Sequence, residues 1–205
     1  MLSEAGSLIV PVARALVDGL SRTSGGLPEL LALGRVPLWR KEEHHVTVLN
    51  YVIGRLILRA IEGRPSLRDE VGALAAAHEW GVRPLGAYYH LVHAAPGRPR
   101  RQTIIVLAQA AVGAFYARLR EHVAAVALPE SAALLEALAW PPPPHVTLYT
   151  SDPDGRAAIG LNRVAELEAA ISRAREPAAD GGLRAYPLHP DVVCGDAPPT
   201  APSAS

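Results

Sequence analysis

The sequence predicts a mixed α+β fold in which an antiparallel sheet is flanked by helices. Short apolar segments rich in β-branched residues and with alternating character, typical of half-buried strands, lie around His45, at 86–94, at 102–109 and around His145. Longer stretches with apolar residues at helical spacing lie between them. The chain of 205 residues, 49% of them apolar, is long enough for one sizeable core or two small lobes.

In the N-terminal half, helices are predicted both before and after the strand in the sequence. Residues 8–21 carry apolar positions at helical spacing, and 27–33 are interpreted as a short second helix. The strand around His45 follows. Residues 51–61 and 66–80 are then predicted to be helical, the second opened by a serine with acidic residues in its first turns.

The middle of the chain is predicted as two strands followed by two helices. The strands 86–94 and 102–109 are joined by a loop in which proline and glycine indicate a turn. The apolar period becomes helical at 110–126, and a shorter helix is predicted at 130–139.

The last third of the chain begins with four consecutive prolines, which restrict the backbone entering the strand around His145. An amphipathic helix with Asn162 as its N-cap is predicted next, then a short strand around 183–188. We predict a single domain at 1–190. Residues 191–205 lack the apolar content to order themselves and are predicted to be a disordered C-terminal tail.

Charge and cysteine usage narrow the functional class. Twenty basic and twenty acidic residues cancel, which argues against a protein that coats nucleic acid nonspecifically. The single cysteine, Cys194, excludes an intramolecular disulfide. Glu4 stands where a signal peptide needs positive charge, and no apolar stretch is long enough to span a bilayer. We therefore expect a cytoplasmic protein with no membrane partner.

A four-residue pattern occurs twice, as His-Val-Thr-Val from His45 and as His-Val-Thr-Leu from His145. Side chains two apart on a strand share a face, so each histidine lies beside its threonine, Thr47 or Thr147, while the apolar residues point the other way. If the two strands are close, two imidazoles and two hydroxyls converge on one space. Imidazole titrates near neutrality, and hydroxyls can donate hydrogen bonds to phosphate oxygens.

The pair of motifs resembles the two-histidine (2H) phosphoesterase superfamily, whose mark is two copies of His-apolar-Ser/Thr-apolar. The resemblance implies a bilobal, pseudo-symmetric fold of antiparallel sheets flanked by helices, with the histidines in a central cleft. It implies metal-independent cleavage at a phosphodiester and no cofactor. By motif match, His45 and His145 are the acid–base pair, and Thr47 and Thr147 are oxyanion stabilisers.

The substrate class stays open at this stage. An RNA end, a 2′,3′-cyclic nucleotide, and a cyclic or linear oligonucleotide all fit the motifs, and the motifs do not say which histidine is the base. A nucleotide-binding module without turnover and a structural or interaction protein are the alternatives, the motif histidines then being ordinary residues of a polar sheet face. We expect no obligatory protein partner.

Four further residues are candidates for substrate binding. Tyr149 has the parity of His145 on its strand and can stack on a base; Tyr51 has the parity of His45 if that strand runs so far. Lys41, just before the first motif, and Arg101, on the predicted hairpin loop, are candidate phosphate ligands.

Three further histidines, His44, His90 and His93, are not predicted to join the site. His44 should face away from His45 by strand alternation. His90 and His93 are three apart and therefore on opposite faces of their strand, and no carboxylate or cysteine lies at ligand spacing, so no metal site is predicted.

Overall fold

The computed structural model describes residue 3 and residues 6–21, 26–126, 131–154, 158–176 and 181–194. These residues contain eight strands and seven helices. The strands are β1 (Leu8–Pro11), β2 (Leu30–Leu33), β3 (Val36–Arg40), β4 (His45–Leu49), β5 (Arg83–Ala95), β6 (Arg98–Gln109), β7 (His145–Thr150) and β8 (Gly182–Leu188). The helices are α1 (Arg14–Asp18), α2 (Tyr51–Gly63), α3 (Leu67–Ala76), α4 (Val112–Ala125), α5 (Ser131–Ala137), α6 (Val164–Ala174) and α7 (Pro190–Cys194).

All eight strands join one antiparallel sheet, which confirms the mixed α+β class. The order across the sheet is β1-β4-β7-β6-β5-β8, and β3 pairs with both β2 and the far end of β7. The two motif strands, β4 and β7, are therefore direct neighbours although 100 residues of sequence separate their histidines. The strand period of two residues determines which face of the sheet each side chain occupies. The strand order brings the two motifs together.

The two faces of the sheet are covered differently. One carries the main core, in which Val46 and Val146 pack with residues of α2 to α5 such as Ile57 and Phe115. The other carries a smaller cluster in which Leu167 of α6 packs with strand residues of β5, β6 and β8. Helix α6 covers only part of this second face, which is also the face of the motif histidines.

Two predicted helices near the N-terminus are strands. Residues 8–11 form β1 and pair with β4, so the helix predicted at 8–21 is reduced to α1. Residues 30–33 form β2, which pairs with β3 at 36–40, a strand the sequence analysis did not predict. Short apolar runs fit either structure locally, and the available pairing partner decides between them.

Most of the other predicted elements are confirmed with shifted ends. Helix α2 begins where expected because the Asn50 Oδ1 accepts hydrogen bonds from the N–H groups of Val52 and Ile53, both at 3.0 Å. The loop predicted between β5 and β6 shrinks to a tight turn at Pro96 and Gly97, so β6 begins at Arg98.

The ends of the last two elements differ from the prediction. The N-cap of α6 is Arg163 rather than Asn162, whose N–H donates a hydrogen bond to the Glu166 carboxylate at 2.7 Å. The tail predicted at 191–205 begins inside α7, whose Val193 and Cys194 are buried; residues 195–205 lie outside the described part. None of the helices described is long and apolar enough to cross a membrane.

Helix α2 packs against the N-terminal segment through two glycines. A Cβ on Gly54 would lie 2.5 Å from the Gly6 carbonyl carbon, whereas one on Gly72 of α3 would meet nothing within 4 Å. Alanine normally favours a helix over glycine by about 1 kcal/mol. We expect Gly72→Ala to raise the free energy of unfolding and Gly54→Ala to lower it by about 1–3 kcal/mol through overpacking. Urea unfolding of the two variants checks this, and equal stabilisation by both would contradict the close packing.

Candidate active site

The apolar residues of both motifs anchor the motif strands in the main core. Val46 lies directly opposite Val146 in the antiparallel ladder, and both are fully buried. Val48 and Leu148 are buried in the same cluster. Because alternate side chains of a strand point to opposite faces, this burial directs the motif histidines and threonines to the other face.

The polar halves of the motifs lie across from one another. With Val46 opposite Val146, the antiparallel register sets His45 across from Thr147 and Thr47 across from His145. Directly opposed side chains on one face have Cβ atoms about 4.5–5.5 Å apart. The two strands thus present a compact group of two imidazoles and two hydroxyls, arranged about a local two-fold relation.

His145 is held in one tautomer by the proline run before it. Its Nδ1 lies 2.8 Å from the carbonyl oxygen of Pro143, and a carbonyl can only accept, so Nδ1 carries the hydrogen. In the neutral ring the lone pair is then on Nε2. The side chain is only 6% exposed, and this burial lowers its pKa; the Pro143 bond opposes the shift, His45 adds to it, and Glu166 opposes it.

His45 is more accessible than its counterpart. It is half-buried, and desolvation lowers its pKa, with Lys41 adding to the shift and Glu43 opposing it. The charge of a protonated His45 also lowers the pKa of His145.

The motif threonines differ from other threonines on this face. Within the described residues, neither the Thr47 nor the Thr147 hydroxyl takes part in a hydrogen bond, and both side chains are half-buried. By contrast, the Thr103 Oγ1 accepts from the Ile159 N–H at 3.0 Å, and the Thr150 Oγ1 accepts from the Asp152 N–H at 3.3 Å. Of these four threonine hydroxyls, only the two of the motifs are available to a ligand.

Tyr149 lies on the opposite face from His145, contrary to the sequence prediction. Ile105 of β6 pairs with Thr147 but Ile104 pairs with Tyr149, so Leu148 is an extra residue, a β-bulge. A bulge shifts the side-chain alternation by one position. The Tyr149 ring is consequently buried in the main core, where its hydroxyl donates to the Pro28 carbonyl at 3.0 Å and its pKa is raised by burial.

Tyr51 also lies outside the site. The strand β4 ends at Leu49 and the Asn50 cap turns the chain into α2, so strand parity does not extend to Tyr51. Its ring is 57% exposed, and its hydroxyl accepts a hydrogen bond from Arg55 at 2.8 Å.

Lys41 lines a large cavity of about 950 Å³ from which both motif histidines are absent. His44 lines it too, consistent with the prediction that it faces away from His45; its Nε2 is buried without a partner in the described structure, and burial together with Arg40 lowers its pKa. The cavity is a poor phosphate site because acidic residues outnumber basic ones. They are Asp18, Glu29, Glu42, Glu43 and Asp154 against Arg14, Arg40 and Lys41.

Arg101 lines a second cavity, of about 360 Å³, together with residues of α6. Glu166 is one of them, and its carboxylate is near enough to His145 to influence its pKa. Glu166 and Arg173 are not predicted from the sequence, because their helix is far from both motifs along the chain. No local pattern signals the contact.

No protein-family model, no curated protein and no solved structure matches the chain. Within the described residues, no three His, Cys, Asp or Glu side chains are grouped so that they could hold a metal ion. The four motif side chains and their geometry are therefore the basis for a function.

Proposed function

We propose that the protein is a two-histidine phosphoesterase that cleaves a phosphodiester of a nucleotide or RNA by acid–base catalysis without a metal ion. The observation that carries the proposal is the antiparallel pairing at Val46 and Val146, which sets the two His–Thr pairs on one face. The local two-fold relation between the motif strands also supports a pseudo-symmetric, bilobal arrangement with a cleft over this face.

The proton on Nδ1 makes His145 the better base. Its Nε2 lone pair is available in the neutral ring, and the Pro143 bond holds the ring in place. His45 is more exposed to solvent than His145, so burial penalises its charged form less. His45 is therefore the acid. In the proposed reactive state, His145 is neutral and His45 is protonated.

On a 2′,3′-cyclic phosphate the reaction is a hydrolysis. Water attacks the phosphorus as His145 Nε2 takes its proton, the bond from phosphorus to one ribose oxygen breaks, and His45 protonates that oxygen. The Thr47 and Thr147 hydroxyls donate hydrogen bonds to the non-bridging oxygens as their charge grows. Proton exchange with solvent then restores the starting state.

On a linear 3′,5′ linkage the same groups catalyse an intramolecular transfer. His145 takes the proton of the ribose 2′-OH, whose oxygen attacks the phosphorus. The bond to the 5′ oxygen breaks and His45 protonates it, which leaves a cyclic phosphate and a 5′-hydroxyl end.

The first test is turnover by the purified protein in excess EDTA. We expect hydrolysis of 2′,3′-cyclic nucleotides, of RNA with a cyclic-phosphate end, or of cyclic oligonucleotides, at the same rate with and without chelator, because no step uses a metal. Product formation is followed by chromatography. Activity lost in EDTA and restored by one divalent metal would contradict the mechanism. Saturable binding with the ligand recovered unchanged would instead establish a binding module.

A further inference from the structure

The 360 Å³ cavity lies on the same sheet face as the catalytic pair. On the sheet side it is lined by His93 and Arg101, which oppose each other across β5 and β6. Arg101 has the parity of Ile105 and Leu107, the residues that pair with Thr147 and His145, so its side chain shares their face. The remaining lining residues come from β8, the segment before α6, and α6 itself: Leu183, Ala158, Ile159, Gly160, Asn162, Glu166 and Arg173.

The cavity is lined by two guanidinium groups from different elements. Arg101 comes from the sheet and Arg173 from the last turn of α6. In the described parts of the chain neither guanidinium group forms a hydrogen bond or an ion pair, whereas the Glu166 carboxylate already accepts from the Asn162 N–H at 2.7 Å. Unpaired guanidinium groups that line one cavity form a site for phosphate, which arginine binds through paired N–H groups.

Helix α6 relates the cavity to the catalytic pair. Its Glu166 lines the cavity and also lies near enough to His145 to influence the pKa of that ring. Glu166 and Arg173 are seven residues apart on α6, which is roughly 10 Å at the helical rise. Arg101 is six residues along β6 from Leu107, the residue that pairs with His145, which is about 20 Å of strand.

We propose that this cavity binds a second phosphate of the substrate, several nucleotides away from the scissile one, so that the preferred substrate is an oligonucleotide. The inference rests on the proposed function. A mononucleotide with a single phosphate cannot occupy both the catalytic pair and the Arg101–Arg173 site. The volume is at the lower end of the range for ligand sites, about 300–1,000 Å³, and suits one nucleotide unit rather than a long strand.

Binding of a labelled RNA tetranucleotide with a 3′-phosphate, measured in the inactive His45→Ala/His145→Ala background, tests the site without turnover. We expect R101Q/R173Q to weaken binding about 100-fold, roughly tenfold per guanidinium, and to reduce the salt slope by one to two. The matched control is R68Q/R120Q, two exposed arginines on α3 and α4, helices of the opposite face. Unchanged affinity in R101Q/R173Q, or equal loss in the control, would overturn the proposal.

Turnover with the histidines intact separates this proposal from the function it rests on. R101Q/R173Q should lower kcat/KM about 100-fold for a tetranucleotide with a 2′,3′-cyclic end and leave that of the 2′,3′-cyclic mononucleotide unchanged. Equal effects on the two substrates would refute the second-phosphate site and leave the catalytic assignment standing. Arginine-dependent binding without turnover of any nucleotide would refute the catalysis and leave the site standing.

Discussion

Alanine in place of His145 or His45 should lower kcat/KM by about a hundred- to ten-thousand-fold. In the proposed mechanism each ring moves one proton in the transition state, and general acid–base catalysis contributes about this factor per group. Because the two histidines act in one step, kcat/KM of the double variant should be only slightly lower than that of the less active single variant. Steady-state rates at equal protein concentration, on whichever of the tested nucleotides and RNAs is turned over fastest, measure the effect.

The controls separate catalysis from folding. His44→Ala removes the neighbouring histidine on the opposite face and should retain activity, since His44 lines the other cavity. His145→Asn removes the base but keeps a side-chain donor near the Pro143 carbonyl, which limits the cost of emptying a 6% exposed position. Near-wild-type turnover in His45→Ala and His145→Asn, with both folded by circular dichroism, would refute the catalytic pair.

Valine in place of Thr47 or Thr147 is expected to lower kcat by about a hundred- to a thousand-fold with a smaller change in KM. Valine preserves the branched shape and β propensity but removes the hydroxyl that donates to the non-bridging oxygen. The charge on that oxygen is greatest in the transition state, so the loss falls on kcat. Saturation kinetics on a cyclic-phosphate substrate resolve the two parameters.

Serine at the same positions is the matched comparison. Thr47→Ser and Thr147→Ser keep the donor and should retain most of the turnover, although they lose a methyl group. A purely structural role predicts the reverse order, with valine tolerated and serine harmful. Turnover in both valine variants equal to that of the wild type would remove the threonines from the mechanism.

The local properties of the motif strands could be predicted from sequence. Alternation at His45–Leu49 and His145–Thr150 established them as strands, and a period of two placed each histidine beside its threonine on one face. The amphipathic period of α2, α4 and α6 likewise needed no tertiary information.

Two predictions that assumed continuous strand alternation were wrong. Tyr149 has the parity of His145 in sequence, but the bulge at Leu148 reverses it. Tyr51 follows β4 directly, but the Asn50 cap ends the strand. Neither irregularity follows from the alternating pattern; the bulge is defined only by the pairing of β7 with β6.

The sequence by itself determined which residues form the two His–Thr motifs and which of them share a strand face, because residue type and strand period are local properties. Tertiary structure alone decided that β4 and β7 are neighbours, that residues 8–11 and 30–33 are strands, and that Arg101 lines one cavity with Arg173 and Glu166 of α6. These are contacts between residues distant in the chain. They depend on which segments of the chain pack together on folding, and no short window of sequence contains that information.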